Sequence, residues 1–244
     1  MEDISPLNWF DSPYYQILYA HRDESEAAAF IDRILEVTPL PAGSRVLDAG
    51  CGNGRHALHL HSRGLNVDAI DSAPSKISQA KKMEQDGLRF ELKNFSSPGN
   101  VGHYDAVFSF FTSFGFGNTE NENVSLLHHF EKMLRPGGMI LIDYMNSPFV
   151  LANLVKKESI EAGNGIRFEI NRGVCNHQIT KSIFVCDQEK QYKFEEKVMQ
   201  IGLDDFRRYF RSCHLALTHV FGDYSLNPFV ENHSERLILI GRKR

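Results

Sequence analysis

The sequence has no run of about 18 or more consecutive apolar residues, the length that a membrane-spanning helix needs. Its first ten residues, MEDISPLNWF, lack a basic stretch followed by an apolar core, so no secretory signal is predicted. Cysteine is scarce, with 4 residues in 244, and none belongs to a C-x-x-C pair. This usage favours a reducing compartment, and we expect a cytoplasmic protein.

The sequence also lacks a strong excess of either charge. Its formal net charge is −4, and its isoelectric point is near 6.3. Such a surface has no general attraction for nucleic acid or for anionic lipid, so neither partner is predicted. The one basic cluster, Arg242–Arg244, is interpreted as a solvated tail. Hydrophobic residues at 42% and charged residues at 24% are ordinary for a globular protein.

The most informative stretch lies between Arg45 and His61 and reads RVLDAGCGNGRHALHLH. A short apolar strand is followed by a carboxylate, Asp48, then by glycines at alternate positions, and then by a helix-forming run. Only glycine adopts positive φ cheaply and lets a ligand lie against the backbone. The helix that follows offers unpaired N–H groups to polar ligand atoms. The glycines, Gly50, Gly52 and Gly54, therefore predict a cofactor loop at the first β–α crossing of an α/β sheet.

Two kinds of cofactor fit the glycine spacing. Gly52 to Ala57 matches the G-x-G-x-x-G/A pattern of dinucleotide-binding folds, so an NAD(P)-dependent oxidoreductase stays an alternative. Asp48 argues against it, because a carboxylate at the strand end repels a pyrophosphate and attracts a cation. S-adenosylmethionine carries an ammonium and a sulfonium and no phosphate. It is the cofactor that we predict.

Three motifs support this choice by resemblance. Asp48 to Gly54 resembles the first motif, (D/E)-x-G-x-G-x-G, of class I methyltransferases, and Cys51 to His56 is similar to the CGxGRH form of a small-molecule group. Ser109 to Gly117 resembles the FTSFGYF stretch of that group, and Leu134 to Gly138 resembles the L-(R/K)-P-G-G turn of the class I methyltransferases. The resemblance implies a Rossmann-like seven-stranded mixed sheet flanked by helices, which closes with a hairpin near the end of the chain.

The resemblance also implies positions for cofactor contacts. Asp71 ends the second strand, 17 residues after Gly54, where an acidic residue receives the ribose hydroxyls; the alternative is a helix-capping role shared with Ser72. After the third strand the family usually has an Asp that accepts a hydrogen bond from the adenine amino group, and this chain has Asn94. Phe95 is expected either on the adenine face or in the core. The complete predicted cofactor set is Tyr15, Asp48, Gly50, Cys51, Gly52, Asp71, Ser72, Asn94, Phe95 and Ser109.

The sequence at the end of the fourth strand gives information about the class of methyl acceptor. The sequence there lacks the (D/N)-P-P-(Y/F) motif of enzymes that methylate exocyclic adenine or glutamine nitrogens, which argues against a DNA or protein amide substrate. Three aromatic residues, Phe111, Phe114 and Phe116, follow the predicted strand. They form either a wall of the substrate site or ordinary core.

The N-terminal segment is rich in aromatic residues. The resemblance suggests that it folds over the cofactor, with Tyr15 or Arg22 near the methionine end; the alternative is ordinary packing on the sheet. Asp23 is predicted to cap a helix that runs to about Val37, because apolar residues recur there at helical spacing.

Residues 148–201 interrupt the alternation of strands and helices. Segments 166–171, 179–186 and 192–201 alternate polar and apolar residues, which predicts three or four antiparallel strands. We therefore expect a Rossmann-like domain from 1–147 and 202–244, and an insert at 148–201. The insert is expected to be a lid over the substrate pocket or a homodimer surface, and the two roles are compatible.

The function predicted from these patterns is transfer of a methyl group from S-adenosylmethionine to a small-molecule N or O acceptor by in-line displacement. An amine that arrives neutral needs no dedicated base, whereas a hydroxyl does. Tyr144, Asn146 and His129 are candidate contributors, each with an ordinary structural alternative, so no catalytic residue and no metal ligand is assigned. A non-catalytic cofactor-binding protein on the same scaffold remains a further alternative.

Overall fold

The computed structural model describes residues 8–20, 24–95 and 101–244. Within them, strands form two sheets, one of seven strands and one of four. The larger sheet has the order β3-β2-β1-β4-β5-β11-β10. The strands of both sheets are, in chain order, β1 (Arg45–Ala49), β2 (Asn66–Asp71), β3 (Leu88–Leu92), β4 (Tyr104–Ser109), β5 (Leu134–Met145), β6 (Lys157–Glu161), β7 (Arg167–Cys175), β8 (Gln178–Asp187), β9 (Lys190–Met199), β10 (Leu215–Phe221) and β11 (Arg236–Lys243).

The larger sheet is parallel except at its closing strand. Strands β1 to β5 pair in parallel, and β11 enters antiparallel to β5 with β10 beside it. Strand β4 is buried along its whole length, as expected where helices cover both faces of a sheet. The order places the carboxyl ends of β1 and β4 side by side at the point where the strand order reverses, which is where open α/β sheets bind ligands. The predicted Rossmann-like fold is confirmed.

The helices within the described residues occupy both faces of this sheet. The helix α2 buries Ala27, Phe30, Ile31 and Ile34, the face that the spacing predicted. Two predicted residues lie outside the described residues: Arg22, a predicted cofactor contact, and Asp23, the predicted N-cap of α2. The helices are α1 (Pro13–Leu18), α2 (Glu24–Val37), α3 (Arg55–Ser62), α4 (Pro74–Ala80), α5 (Glu120–Met133), α6 (Ser147–Ala152) and α7 (Leu203–Ser212).

Two local predictions were wrong. Ser72 is exposed and does not cap α4, because the N-cap position is Ala73 and the carboxylate of Asp71 accepts the Ala73 N–H at 2.8 Å. The residues Arg135–Gly138 are not a separate turn before β5. The strand already begins at Leu134, and its register against β4 shifts between Tyr104 and Ala106, so these residues form a bulge inside the strand.

The four-stranded sheet is the predicted insert. Strands β6 to β9 pair in sequence and all antiparallel, which confirms the prediction of three or four such strands. Its inner face is apolar and packs against Trp9 and Tyr14 of the N-terminal segment. The side chains that line this face alternate with exposed ones, as the sequence pattern required.

Candidate active site

The glycine bend after β1 is held against β2 by its own backbone. The amides of Gly50 and Cys51 both donate to the carbonyl of Ile70, at 2.8 and 3.0 Å. All three glycines have positive φ, at 91° for Gly50, 55° for Gly52 and 89° for Gly54, a region that side chains with a Cβ rarely enter. The bend therefore has one fixed path between the strand and α3.

The three glycines are required for different reasons. A Cβ on Gly50 would lie 2.4 Å from Ser113 Oγ, and one on Gly54 would lie 2.7 Å from the ring of Phe90. A Cβ on Gly52 would meet nothing closer than Lys76 Cδ at 3.9 Å. Neighbouring side chains of the protein therefore explain the glycine at 50 and at 54, whereas Gly52 borders open space into which a ligand fits.

Asp48 is fully buried, and neither of its carboxylate oxygens makes a hydrogen bond with ordinary geometry to any described residue. Burial raises the pKa of this carboxyl to about 7, and the negative charge of Asp71 adds to the rise. The charge of Arg55 and the nearby amide of Ala57 oppose it. A buried carboxylate without a partner is costly. A cation bound beside it would lower this cost, which is the kind of ligand that the sequence predicts for this position.

Asp71 ends β2 with both of its oxygens in use. Oδ2 accepts the Gly52 N–H at 2.8 Å, and Oδ1 accepts the Ala73 N–H at 2.8 Å. These bonds hold the second strand end against the glycine bend and fix the turn that leads into α4, whose N-cap position, Ala73, has no side-chain cap. Each carboxylate oxygen accepts more than one hydrogen bond, so ribose hydroxyls remain compatible with this arrangement.

Tyr15 is linked to the glycine bend through Lys76, whose Cδ is the atom nearest to a Cβ position on Gly52. The ammonium of Lys76 is 3.9 Å from the centre of the Tyr15 ring, and the ring of Tyr19 is 4.8 Å away. The segment is anchored one turn earlier, because Asp11 Oδ1 accepts the Ser75 N–H at 2.8 Å and the Ser75 hydroxyl at 2.6 Å. The predicted placement of the N-terminal segment next to the cofactor loop agrees with this geometry.

The remaining predicted cofactor residues differ in how deeply they are buried. Phe95 is half-buried, and its ring edge is 3.2 Å from the position that a Cβ on Gly50 would occupy. Asn94 is exposed at the end of β3, whereas Cys51 and Ser109 are buried. Burial raises the pKa of the Cys51 thiol, and the charges of Asp48 and Asp71 raise it further. The thiol is therefore unreactive and packs as a small apolar group.

The sequence analysis missed a buried network beside this site. Asp143 in β5 pairs with Arg236 in β11 at 2.6 Å, and Asp143 Oδ2 accepts the Phe111 N–H at 2.7 Å and the Tyr224 hydroxyl at 3.1 Å. Arg236 also donates to Thr112 Oγ1 at 3.0 Å. The network holds the chain after β4 in place.

Phe111 and Thr112 both have positive φ, at 51° and 57°, which is uncommon for residues other than glycine. Phe111 thereby projects toward the N-terminal segment, where its ring meets Tyr19 at 5.8 Å. Phe114 is instead completely buried in the core, and Phe116 packs edge-on against Phe10 at 5.0 Å. Of the three predicted wall residues, Phe111 is thus the one that the backbone presents at the strand end.

Two of the three candidate catalytic contributors, Tyr144 and Asn146, make hydrogen bonds that hold the structure together. The Tyr144 hydroxyl donates to the Met199 carbonyl at 2.5 Å, and the Asn146 amide donates to the carbonyls of Glu231 and Ser234 at 2.6 and 2.7 Å. These bonds join β5 to the insert and to the segment before β11. His129 lies on α5, between β4 and β5 in the chain.

A cleft elsewhere on the larger sheet lies apart from the predicted cofactor residues. A cleft of about 170 Å³ lies on the flank of the larger sheet near β3, lined by residues that include Asp68, Arg89 and Tyr104, and it contains none of the predicted cofactor residues. No described group of three His, Cys, Asp or Glu side chains is arranged to hold a metal ion. Among the described helices, none has the length and apolarity to cross a bilayer.

Taken together, the fold and the bend define a class I, Rossmann-like protein that binds a cationic nucleoside cofactor. Residues 40–198 match the model of a family described as "Methyltransferase domain", and the chain belongs to that family. It is an S-adenosylmethionine-dependent methyltransferase. The NAD(P)-dependent oxidoreductase and the non-catalytic binding protein, the two alternatives to this activity, are set aside.

Several relatives are similar to the chain. A dTDP-3-amino-3,4,6-trideoxy-alpha-D-glucopyranose N,N-dimethyltransferase of Streptomyces venezuelae is 24% identical over 178 residues, which are 64% of this chain and 73% of that protein. A cypemycin N-terminal methyltransferase from a Streptomyces species is 23% identical over 207 residues, 82% and 84% of the two chains.

Solved structures show the same fold. A S-adenosylmethionine-dependent methyltransferase from Clostridium acetobutylicum ATCC 824 superposes with a TM-score of 0.79 at 18% identity, covering 94% of this chain and 96% of that one. The SAM-bound amino pentose methyltransferase CalS10 from Micromonospora echinaspora superposes with a TM-score of 0.70 at 19% identity, covering 96% and 98%.

Proposed function

We propose that this methyltransferase acts on a nitrogen or oxygen of a small molecule, and that it belongs to the CGxGRH group. The proposal rests on one observation: the N-terminal segment and the insert sheet cover the carboxyl edge of the larger sheet. Phe111, at the end of β4, meets Tyr19 of the N-terminal segment, and that segment is backed by the insert sheet. A covered edge suits a small acceptor better than a duplex or a folded protein surface.

The names of the relatives support the same class of acceptor. The Streptomyces venezuelae relative is named for an amino sugar nucleotide, the cypemycin relative for a peptide N-terminus, and CalS10 for an amino pentose. All three names describe amines or their carriers. We infer that nitrogen is the favoured nucleophile, with oxygen as the second candidate.

The predicted cofactor residues then have distinct roles. The carboxylate of Asp48 balances the positive charge of the cofactor, the backbone at Gly52 lets it approach closely, and Asp71 receives the ribose hydroxyls. Asn94 and Phe95 face the adenine, and Tyr15 covers the methionine end. Gly50, Cys51, Ser72 and Ser109 shape the surrounding wall.

When bound, S-adenosylmethionine supplies a methyl group on a positively charged sulfur: the acceptor lone pair forms the new bond to the methyl carbon, and the electron pair of the broken carbon–sulfur bond stays on sulfur. The protein aligns the reactants and excludes water. The rings of Tyr15 and Tyr19 are suited to a cationic cofactor, because aromatic faces stabilise a cation without reacting with it.

The domain division at 148 and 201 and the cytoplasmic location stay predictions. We favour the lid over the homodimer surface for the insert, because its inner face packs on the N-terminal segment that covers the bend. Analytical ultracentrifugation of the full chain tests the homodimer surface. A monomeric protein is compatible with a lid. A dimer that dissociates when the outer face of the insert is mutated supports the homodimer surface.

The function is tested in two steps. A thermal-shift panel with S-adenosylhomocysteine, NADH and NADPH is expected to show stabilisation by S-adenosylhomocysteine alone, since a ligand at about 100 times its dissociation constant adds about 2.7 kcal/mol. Production of S-adenosylhomocysteine is then followed over panels of small amines, amino sugars, phenols and carboxylates, with DNA, RNA and denatured protein as comparison substrates. Turnover confined to the macromolecules would overturn the proposal.

A further inference from the structure

Lys76 in α4 is a buried cation outside the predicted cofactor set. The residue is 7% exposed, and its ammonium makes no ion pair and no hydrogen bond with another described residue. Its contact within the part of the chain that the structure describes is the ring of Tyr15, whose centre lies 3.9 Å away. A buried ammonium without a carboxylate beside it is costly, because its lost solvation is not replaced.

The Lys76 side chain borders the open side of the glycine bend. Its Cδ lies 3.9 Å from the position of a Cβ on Gly52, and no other described atom beyond the chain neighbours of Gly52 lies within 4 Å of that position. Both carboxylate oxygens of Asp48 are fully enclosed and unpaired, but the Lys76 nitrogen is not enclosed in this way. The ammonium therefore lies at the edge of the space that a ligand beside Gly52 enters.

Hydrogen bonds fix α4 against its neighbours on two sides. The carboxylate of Asp71 joins the Gly52 amide to the N-cap position of α4. On the other side, Asp11 Oδ1 accepts the N–H and the hydroxyl of Ser75, at 2.8 and 2.6 Å, and this holds the N-terminal segment against α4. Because Ser75 is the chain neighbour of Lys76, the base of the Lys76 side chain is fixed by the fold itself.

The ligand that suits Lys76 is an anion. A lysine ammonium only donates hydrogen bonds, so its ligand must supply an acceptor. Burial lowers the pKa of Lys76, and the negative charges of Asp71 and Asp11 oppose the fall without forming an ion pair with it. S-adenosylmethionine and S-adenosylhomocysteine each carry one anionic group, the α-carboxylate of the amino-acid end. Their ribose hydroxyls are neutral, and a carboxylate such as Asp71 suits them better.

We propose that the Lys76 ammonium binds the α-carboxylate of the cofactor, with the Tyr15 ring supporting the ammonium. Lys76 is thereby a cofactor-binding residue in addition to those that the sequence predicts. This inference rests on the proposed function, in which Tyr15 covers the methionine end of the cofactor. The cofactor is then held by charges of both signs, since Asp48 balances its positive groups and Lys76 its negative one.

The test compares two ligands that differ in this one group. S-adenosylhomocysteine has the carboxylate, whereas decarboxylated S-adenosylhomocysteine keeps the amine, the sulfur and the nucleoside. Isothermal titration calorimetry of the full chain is expected to show that S-adenosylhomocysteine binds about tenfold tighter or more, the range of a hydrogen bond to a charged group. Equal affinities of the unmodified protein for the two ligands would overturn the inference without the need for a variant.

Two variants locate the preference. Lys76→Met keeps a stem of similar length and removes the charge, so its preference for S-adenosylhomocysteine over the decarboxylated ligand is expected to fall below about threefold. Lys82→Met is the matched control, because Lys82 is an exposed lysine just after α4, and it should keep the full preference. An equal preference in the two variants overturns the inference, as does an equal loss of affinity for both ligands in Lys76→Met.

Thermal unfolding separates this role from a structural one. Without ligand, Lys76→Met is expected to unfold at the same temperature as the unmodified protein or higher, because it removes a buried cation that lacks a carboxylate partner. A lower unfolding temperature with equal loss of both ligands indicates that Lys76 only supports the fold, and overturns the inference. If S-adenosylhomocysteine does not bind the unmodified protein, the proposed function itself fails. If it binds the unmodified protein and Lys76→Met alike, only this inference fails.

Discussion

The carboxyl groups of Asp48 and Asp71 lie on adjacent parallel strands, and the charge of Asp71 adds to burial in raising the pKa of Asp48 to about 7. Asp71 is satisfied by two backbone amides, whereas neither oxygen of Asp48 makes a hydrogen bond of ordinary geometry with a described residue, and only the amide of Ala57 and the charge of Arg55 favour its ionised form. Ionisation of Asp48 is therefore unfavourable in the folded protein. On the proposed role, a cationic cofactor is expected to offset this cost on binding.

Replacement of Asp48 by Asn separates stability from binding. At pH 8 the ligand-free variant is expected to be more stable than the unmodified protein by about 1–2 kcal/mol, since it removes a buried charge but leaves a buried amide without a partner. Stabilisation by S-adenosylhomocysteine should be lost. Differential scanning calorimetry with and without the ligand measures both effects.

Asp204→Asn is the control for that experiment, because the side chain of Asp204 is 87% exposed. It should change neither the unfolding temperature nor the response to ligand. A less stable Asp48→Asn variant that still binds S-adenosylhomocysteine normally would contradict the role given to the buried charge.

The pH dependence of binding follows from the same carboxyl group. Its pKa is raised from 3.8 to about 7 in the folded state, so the folded protein binds more protons than the unfolded chain between about pH 4 and pH 7. The Asp48 contribution to the free energy of unfolding therefore falls as pH rises through this window and is constant above it. A bound cation keeps Asp48 ionised, so the affinity for S-adenosylmethionine should rise up to about pH 7 and then level off.

Isothermal titration calorimetry checks this second prediction. At pH 6, binding of S-adenosylmethionine without an acceptor should release close to one proton, which is seen by comparing buffers of different ionisation enthalpy. At pH 8 the release should disappear. An equal proton release in Asp48→Asn at pH 6 would assign the effect to another group.

Much of this site was predictable because its signals are local. Asp48, the glycines and Asp71 lie within 24 consecutive residues, and the path of the chain there depends on backbone rules that hold in any protein. The alternation in 166–201 likewise predicted three of the four insert strands, β7, β8 and β9, to within a few residues at each end, whereas β6 was not located. Local pattern was enough in both places.

The network around Asp143 was not predictable in this way. Asp143 and Arg236 are 93 residues apart, and their contact depends on the antiparallel register of β5 and β11, for which neither segment carries a signal. The alternation in β9 does place Glu196 on the same face as Phe194 and Val198. The predicted cap at Ser72 was wrong because α4 begins one residue later than expected, so that Ala73 occupies the N-cap position.

Substitution of the glycines distinguishes packing from ligand binding. Gly52→Ala should lower stability by only about 1 kcal/mol, the cost of positive φ for a residue with a Cβ, because the added methyl meets open space. It should weaken binding of S-adenosylhomocysteine at least tenfold, since the methyl lies where the cofactor approaches the backbone. Urea unfolding and ligand titration give the two quantities.

Gly50→Ala is the comparison variant, and we expect it to lower stability more than Gly52→Ala does. Its methyl would collide with Ser113, whose Oγ lies 2.4 Å from the new atom, so we expect several kcal/mol of destabilisation from overpacking and positive φ together. If Gly52→Ala were the less stable of the two variants and bound S-adenosylhomocysteine normally, the assignment of Gly52 as the ligand-facing glycine would be wrong.

The pair between Asp143 and Arg236 should be the most sensitive ion pair near the site. Arg236→Leu leaves Asp143, which is 1% exposed, without its cation, and removal of one partner of a buried pair typically costs about 3–5 kcal/mol. The loss should also loosen Phe111 and Thr112, whose positive φ depends on hydrogen bonds to Asp143 and Arg236. Urea unfolding measures the first effect, and hydrogen exchange of the Phe111 amide measures the second.

Two further variants make this prediction specific. Arg208→Ala breaks exposed pairs with Glu120 and Asp205 and should leave the free energy of unfolding almost unchanged, because solvent screens such pairs. The double replacement Asp143→Leu with Arg236→Leu removes both buried charges and should recover part of the stability lost in Arg236→Leu. The recovery should be incomplete, because the Phe111 amide and the Tyr224 hydroxyl still lose their acceptor. An Arg236→Leu variant within about 1 kcal/mol of the unmodified protein would show that the network does not hold the strand end.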